Sequence, residues 1–167
     1  MKSKSQKVFH EFEPFYNADS RVLILGSIPS PKSRESGFYY AHPQNRFWKV
    51  LSALFQTDEP KTIPEKKFFL TKHKIALYDV LESCEISGAS DTSIKNPSPA
   101  DLSPILEHAQ VQKIFTTGKT AFHFYKKFQE PKLKREAFCL PSTSPTNCQK
   151  SLENLVSDYK IILSCLK

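Results

Sequence analysis

Residues 22–30 have the sequence VLILGSIPS, four apolar residues followed by a turn-forming segment. A short apolar run bounded by glycine and proline is typical of a buried strand in a parallel sheet. Gly26 lets the backbone come close to a ligand, Ser27 and Ser30 supply hydroxyl groups, and Pro29 stiffens the turn. The stretch therefore predicts a strand that ends at a binding site for a polar ligand.

The rest of the chain alternates between short apolar runs and segments of helical periodicity. Strands are predicted at residues 21–25, 75–78, 111–116 and 137–140, and helices near residues 44–55, 98–106, 118–128 and 152–166. Strands that alternate with helices form βαβ units, so we expect an α/β fold with a mainly parallel sheet covered on both faces. Residues 1–20 are predicted as a loop or short helix, and residues 83–99 as a long loop.

Composition limits the classes of protein that this chain can belong to. The 167 residues suit one domain over 1–167, and 24 Lys and Arg against 17 Asp and Glu give a net charge of +7, which favours a phosphate-rich partner. The four cysteines have no metal-site spacing, so we expect no metal site of the zinc or iron-sulfur kind. Without a secretory signal or a membrane-spanning run, we expect a cytoplasmic protein with no membrane association.

Polar loops follow three of the predicted strands. Ligands bind outside the carboxyl ends of parallel strands, so the loop at 26–30, the residues after Asp79 and the loop at 141–147 are expected to share one cleft. The hydroxyl groups of Ser30, Ser142, Thr143 and Ser144 are suited to hold phosphate oxygens, although serine and threonine also occur in ordinary turns.

Aromatic and amide side chains lie between the first strand and the next helix. Tyr39 and Tyr40 are suited to stack on a planar ring, and their alternative role is packing in the core. Asn45 is suited to orient a water molecule or to bind a base edge, and its alternative role is a helix cap. Asp79, at a strand end, is a candidate catalytic carboxylate or a turn residue.

Three motifs together resemble a known family. The segments GSIPS (26–30), YYAHPQNRFW (39–48) and LPSTSP (140–145) are similar to the uracil-DNA glycosylase superfamily, nearest to its hypoxanthine-DNA glycosylase branch. Residues 83–85 and 91–97 are also similar to that branch. The resemblance implies a three-layer α/β/α sandwich with a central four-stranded parallel sheet. It also implies an enzyme that removes a damaged base, hypoxanthine or uracil, from DNA by hydrolysing the N-glycosidic bond without a cofactor.

The resemblance assigns roles to individual residues. Asn45 would be catalytic and hold the attacking water, and Tyr40 would stack on the flipped base. The backbone around the first motif would bind the base through Gly26, Ser27, Ile28 and Pro29. Contacts with DNA would come from Ser30, Ser142, Ser144 and Asn147.

Two positions depart from the family pattern. Ile28 stands where most branches carry an Asp or Asn that positions water, and Leu140 stands where the best-studied uracil enzymes carry a His. These apolar side chains keep open the alternative of a non-catalytic DNA-binding module. A nuclease or phosphatase is disfavoured because no carboxylate or His cluster for a metal pair occurs at the strand ends. The expected partner is DNA, bound by a monomer.

Overall fold

The computed structural model describes residues 5–87 and 93–166, and within them the backbone forms two sheets. The strands, in chain order, are β1 (Gln6–Phe9), β2 (Val22–Gly26), β3 (Ile75–Asp79), β4 (Leu81–Ile86), β5 (Lys95–Pro99), β6 (Lys113–Thr117) and β7 (Ala137–Leu140). The larger sheet is parallel and has the order β3-β2-β6-β7. The smaller sheet is antiparallel and has the order β1-β4-β5.

Helices connect the parallel strands and follow the last of them. They are α1 (Pro31–Ser36), α2 (Phe47–Phe55), α3 (Ile63–Lys72), α4 (Ser103–His108), α5 (Lys119–Phe124), α6 (Glu130–Leu133), α7 (Leu152–Tyr159) and α8 (Ile161–Ser164), with a π-helical turn at Tyr125–Gln129 between α5 and α6. None of the helices in the described ranges is long and apolar enough to cross a bilayer.

The β2 strand divides the core into two layers. Successive side chains of a strand point to opposite faces of its sheet. Val22 and Ile24 pack into the core layer that contains residues of α2, α3 and α7, whereas Leu23 and Leu25 pack into the layer that contains residues of α4 and α5. All four side chains are fully buried. The predicted α/β class, with a central four-stranded parallel sheet between helices, is therefore confirmed.

The register of the parallel sheet brings four strand ends to one edge. Gly26 pairs with Asp79, and Thr117 pairs with Leu140. These residues are the last of β2, β3, β6 and β7. The loops that leave these strands therefore start side by side.

The smaller sheet was not expected. Residues 6–9 form a strand rather than a loop or short helix, and the predicted loop at 83–99 contains the paired strands β4 and β5. β4 buries Leu81, Cys84 and Ile86 between polar residues. β5 is polar and carries two prolines, which an edge strand tolerates. These strands depend on pairing with distant residues more than on local propensity. Residues 88–92, including the first two residues of the similar segment 91–97, lie outside the described residues.

Helix boundaries also differ from the predictions. The helix expected near residue 44 begins at Phe47, the one expected at residue 98 begins at Ser103, and the last helix is divided into α7 and α8 at Lys160. Residues 130–133, for which no helix was predicted, form α6. Short helices start where a cap or a proline permits, so local sequence locates their ends only approximately.

Candidate active site

A cleft of about 580 Å³ opens at the carboxyl edge of the parallel sheet. Its lining brings together residues from four strand ends and from the segment before α2, among them Gly26, Tyr40, Asn45, Asp79, Thr117 and Ser142. The volume lies within the range of small-molecule sites in proteins, about 300–1,000 Å³. The cleft can therefore hold a group the size of a nucleobase.

The Asp79 carboxylate lies against the backbone of Gly26. A methyl group added to Gly26 would come within 2.5 Å of Asp79 Oδ1 and 3.4 Å of the Tyr40 hydroxyl. Real side-chain carbons do not approach an oxygen that closely, so glycine is required here by close contact rather than by a special backbone angle. Gly26 thus leaves room for the Asp79 carboxylate and the Tyr40 hydroxyl beside its own backbone.

His10 holds the other oxygen of Asp79. His10 Nε2 lies 2.7 Å from Asp79 Oδ2, and the His10 side chain is fully buried. Its ring packs between Phe12 and Tyr78, with centroid distances of 4.8 and 4.6 Å. Nδ1 has no hydrogen-bond partner in the described part of the chain. A carboxylate oxygen can only accept, so the hydrogen of this bond is carried by Nε2 of His10.

Tyr40 forms an aromatic wall of the cleft. Its ring stacks on Phe47 with centroids 3.8 Å apart, and its hydroxyl lies 3.2 Å from Thr117 Oγ1. The backbone φ of 54° is unusual for an aromatic residue and turns the chain between Tyr39 and the residues before α2. Phe47 covers one face of the ring, and the residue lines the cleft.

Tyr39 does not form the stacking wall expected from the sequence. Its side chain is 2% exposed and packs in the core, where its hydroxyl donates to the Glu13 carbonyl oxygen at 3.0 Å. Burial, followed by the charge of Asp79, raises the pKa of Tyr39 far above its usual value. Both tyrosines line the cleft, but Tyr39 is buried and packs in the core, so Tyr40 is the better placed of the two to offer its ring to a ligand.

Asn45 lies where the chain enters α2. Its Oδ1 accepts the backbone N–H of Phe47 at 2.9 Å and the hydroxyl of Thr143 at 2.8 Å. The side chain therefore satisfies the first backbone N–H of α2 and also lines the cleft. The N-cap position itself is Arg46 rather than Asn45. The role of Asn45 toward water or a base stays a prediction.

The loop at 141–147 is held by bonds within itself. Ser142 Oγ accepts the backbone N–H of Ser144, and Ser144 Oγ lies 2.9 Å from Thr146 Oγ1. The side-chain amide of Asn147 donates to the Ser142 carbonyl oxygen. Thr143 is 1% exposed, so it does not offer its hydroxyl to a phosphate as the sequence suggested. Pro145 and Thr146 form the exposed tip.

Residues outside this loop fix it in place. Arg46 donates to the carbonyl oxygens of Lys150 at 2.6 Å and Asn147 at 2.7 Å. The Tyr159 hydroxyl donates to the Pro141 carbonyl oxygen at 2.6 Å, and burial raises the pKa of Tyr159, which keeps the donor protonated. Gly118, at φ 92°, lets Ser142 approach β6.

The first motif forms the opposite wall. Ser27, Ile28 and Pro29 line the cleft, and the Ile28 side chain packs into the core layer with α4 and α5. Ser30 lines the cleft and also caps α1, where its Oγ accepts the Ser33 amide at 3.2 Å. Leu140 is buried in the other core layer. Neither Ile28 nor Leu140 presents a polar group to the cleft.

Several cleft residues were not assigned a role from the sequence. Thr117 and Lys119 line the cleft beside Arg34, and the two basic side chains add positive charge to its rim. The rule that ligands bind at the carboxyl ends of parallel strands points to Thr117, since it ends β6. No signal in the sequence indicated His10. Within residues 5–87 and 93–166, no cluster of His, Cys, Asp and Glu suited to a metal ion is present.

We predict that Arg46→Lys loosens the loop at 141–147. A single ammonium group cannot replace the guanidinium that reaches two carbonyl oxygens. The amides of Ser144 and Asn147 should exchange with deuterium about tenfold faster, which corresponds to the loss of roughly one net hydrogen bond. Arg21→Lys is the matched control at the far end of β2. Equal exchange rates in wild type and Arg46→Lys would show that Arg46 does not hold the loop in place.

Comparison with known proteins identifies the family to which this chain belongs. A "Hypoxanthine DNA glycosylase" of Methanosarcina acetivorans is 29% identical over 156 residues, which cover 90% of this chain and 95% of that protein. A protein of the same name from Methanosarcina barkeri is 34% identical over 86 residues, 51% of this chain and 54% of the relative. The solution NMR structure of a candidate uracil DNA glycosylase from M. acetivorans shares the fold, with a TM-score of 0.75 at 23% identity over 98% of this chain and 99% of that chain. The family model of the uracil DNA glycosylase superfamily matches residues 13–162, so the chain belongs to this superfamily.

Proposed function

We propose that the chain is a DNA glycosylase that turns a deaminated base, hypoxanthine or uracil, out of DNA and hydrolyses its N-glycosidic bond. The observation that carries the proposal is the cleft itself, which is lined by Tyr40, Asn45 and Asp79 and is large enough to hold a nucleobase. A base inside a duplex is out of reach, so an enzyme of this kind must bind the base after it has left the stack.

The polar groups of the cleft suit a deaminated base. Deamination of adenine or cytosine replaces a ring nitrogen acceptor by an N–H donor and the neighbouring amino group by a carbonyl. Asp79 Oδ2 is bound to His10, and in the described part of the chain no hydrogen bond is made by Oδ1. That oxygen is suited to accept the new N–H, which supports recognition of the lactam edge of hypoxanthine or uracil.

The mechanism uses stacking, hydrogen bonding and a positioned water. Tyr40 would stack on the base, and backbone amides near Ser27 and Ile28 would stabilise negative charge as it develops on the base carbonyl. Asn45 would hold water close to the anomeric carbon of the sugar. An amide is a weak base, so the glycosidic bond would break largely before the water attacks. The basic rim and the loop at 141–147, through Ser142, Ser144 and Asn147, would bind the flanking phosphates.

A non-catalytic DNA-binding module is the competing proposal. It is favoured by the two apolar residues, Ile28 and Leu140, at positions where other members carry catalytic groups. Such a module would bind the same duplexes but leave every glycosidic bond intact. The two proposals therefore differ in a single product, the abasic site.

The test is a panel of duplexes that each contain one modified base: hypoxanthine, uracil or xanthine. We expect hypoxanthine or uracil to be released, and the product strand to break only after alkali treatment, because hydrolysis leaves an abasic site with an intact backbone. Duplexes with adenine or cytosine at the same position serve as matched controls. Binding without an abasic product on any duplex would overturn the enzyme and favour the binding module.

A further inference from the structure

The Asn45 carboxamide has its oxygen fully occupied. Oδ1 accepts the Phe47 backbone N–H and the Thr143 hydroxyl, at 2.9 and 2.8 Å. A carbonyl oxygen has two lone pairs, so both are used. A backbone N–H can only donate, so the atom that faces it must be the oxygen. These two donors thus establish which end of the carboxamide is the oxygen and which is the nitrogen.

The amino group of Asn45 is the atom left for a ligand. Nδ2 makes no hydrogen bond in the described part of the chain, and Asn45 lines the cleft. An amide nitrogen carries two hydrogens and has no lone pair to offer. Asn45 can therefore donate to a molecule in the cleft, while its acceptor is engaged elsewhere.

Thr143 is held so that it can maintain this orientation. Its side chain is 1% exposed, and its backbone carbonyl oxygen accepts the Arg46 amide at 3.0 Å. Because Asn45 Oδ1 has no hydrogen, the hydroxyl of Thr143 must be the donor between them. Thr143 is thus hydrogen-bonded to two consecutive residues before α2, Asn45 and Arg46. It lies 98 positions along the chain from Asn45.

We propose that Thr143 is a positioning residue that locks the Asn45 amino group toward the cleft, so that Asn45 acts on the substrate as a hydrogen-bond donor. The inference rests on the proposed function. The electron pair of the glycosidic bond leaves with the base, and the water oxygen bonds to the anomeric carbon. The proton of that water goes to the departing base or to solvent. Asn45 Nδ2 donates to the water oxygen and takes up no proton.

The kinetic test compares Thr143→Val, Thr143→Ser and wild type in single-turnover base release. Valine keeps the volume and removes the donor, so the rate should fall about tenfold, as expected for the loss of one buried hydrogen bond, while the affinity for DNA stays unchanged. Serine restores the donor and should recover most of the rate. Thr57→Val, an exposed change outside the cleft, is the matched control. A wild-type rate in Thr143→Val, or no recovery in Thr143→Ser, would overturn the positioning role.

A second measurement does not depend on activity. In ¹⁵N-resolved NMR spectra, the ¹⁵N–¹H nuclear Overhauser effect of the Asn45 amino group should report a rigid side chain in wild type and Thr143→Ser, and a mobile side chain in Thr143→Val. An unchanged effect in Thr143→Val would contradict the lock. If wild type released no base, the proposed function would fail, and this measurement would still decide the placement of Asn45.

The variant Asn45→Asp tests whether residue 45 must donate or accept a hydrogen bond in the cleft. Its carboxylate keeps an oxygen for Phe47 and Thr143 and places a second oxygen where the amino group was. We expect Asn45→Asp to be as slow as Asn45→Ala. Activity near that of wild type would show that an acceptor is needed there and would overturn the donor role.

Discussion

Asn45→Ala should lower the single-turnover rate of base release about 100-fold or more, the scale of losing one positioned polar group or of misplacing a reactant. The variant loses the amino group of Asn45, which we propose is the group that acts in the cleft. Binding to the duplex should persist, because phosphate contacts supply most of the affinity of proteins for DNA. The rate is measured with enzyme in excess over a hypoxanthine or uracil duplex, and binding by fluorescence anisotropy on the same duplex.

Stability must be controlled in this experiment, because Asn45 Oδ1 also accepts the first backbone N–H of α2, as a capping side chain would. Loss of a cap costs about 1 kcal/mol, which is small against the usual stability of a domain. Thermal unfolding of the variant should therefore remain cooperative, with a modestly lower midpoint. Gln44→Ala, the exposed neighbour, is the matched control and should retain the wild-type rate. If Asn45→Ala also retained that rate, Asn45 would have no catalytic role.

His10→Phe is expected to destabilise the fold by about 3 kcal/mol, since it leaves a buried carboxylate without its donor. Phenylalanine preserves an aromatic ring between Phe12 and Tyr78, so the loss should come from the hydrogen bond to Asp79 rather than from an empty space. Urea unfolding followed by the fluorescence of Trp48, the single tryptophan of the chain, measures the change.

A double-mutant cycle isolates the contact between the two residues. Asp79→Asn removes the charge with little change of shape, so His10→Phe should cost much less in that background. We expect the two substitutions to be coupled by about 1.5 kcal/mol or more, within the range of directly contacting residues. Additive effects would show that His10 stabilises the protein through packing alone.

The central sheet could be predicted because its strands carry their own signal. The apolar runs at residues 22–25, 75–77 and 114–115 are continuous, since both faces of a parallel sheet are buried. The rule that ligands lie at the carboxyl ends of such strands then indicated the edge at which the cleft is found. The smaller sheet has no such signal: in β1 only Val8 is buried.

The contacts inside the cleft could not be predicted in the same way. His10 lies 69 positions from Asp79, and Thr143 lies 98 positions from Asn45. Hydrophobic periodicity specifies which face of an element is buried, but not which distant side chain it meets. Thr143 was therefore interpreted as a phosphate ligand from its residue type, whereas its position directs the hydroxyl inward. Tyr39 and Tyr40 have the same side chain and adjacent positions, and only the turn at Tyr40 separates their roles.

The short strand β1 connects the amino-terminal segment to a residue that lines the cleft. Its pairing with β4 delivers His10 to Asp79, although the segment that matches the superfamily begins only at residue 13. A fragment trimmed to that boundary would keep every strand of the parallel sheet and lose the imidazole behind the cleft. The contacts that support the cleft thus extend beyond the segment that matches the superfamily.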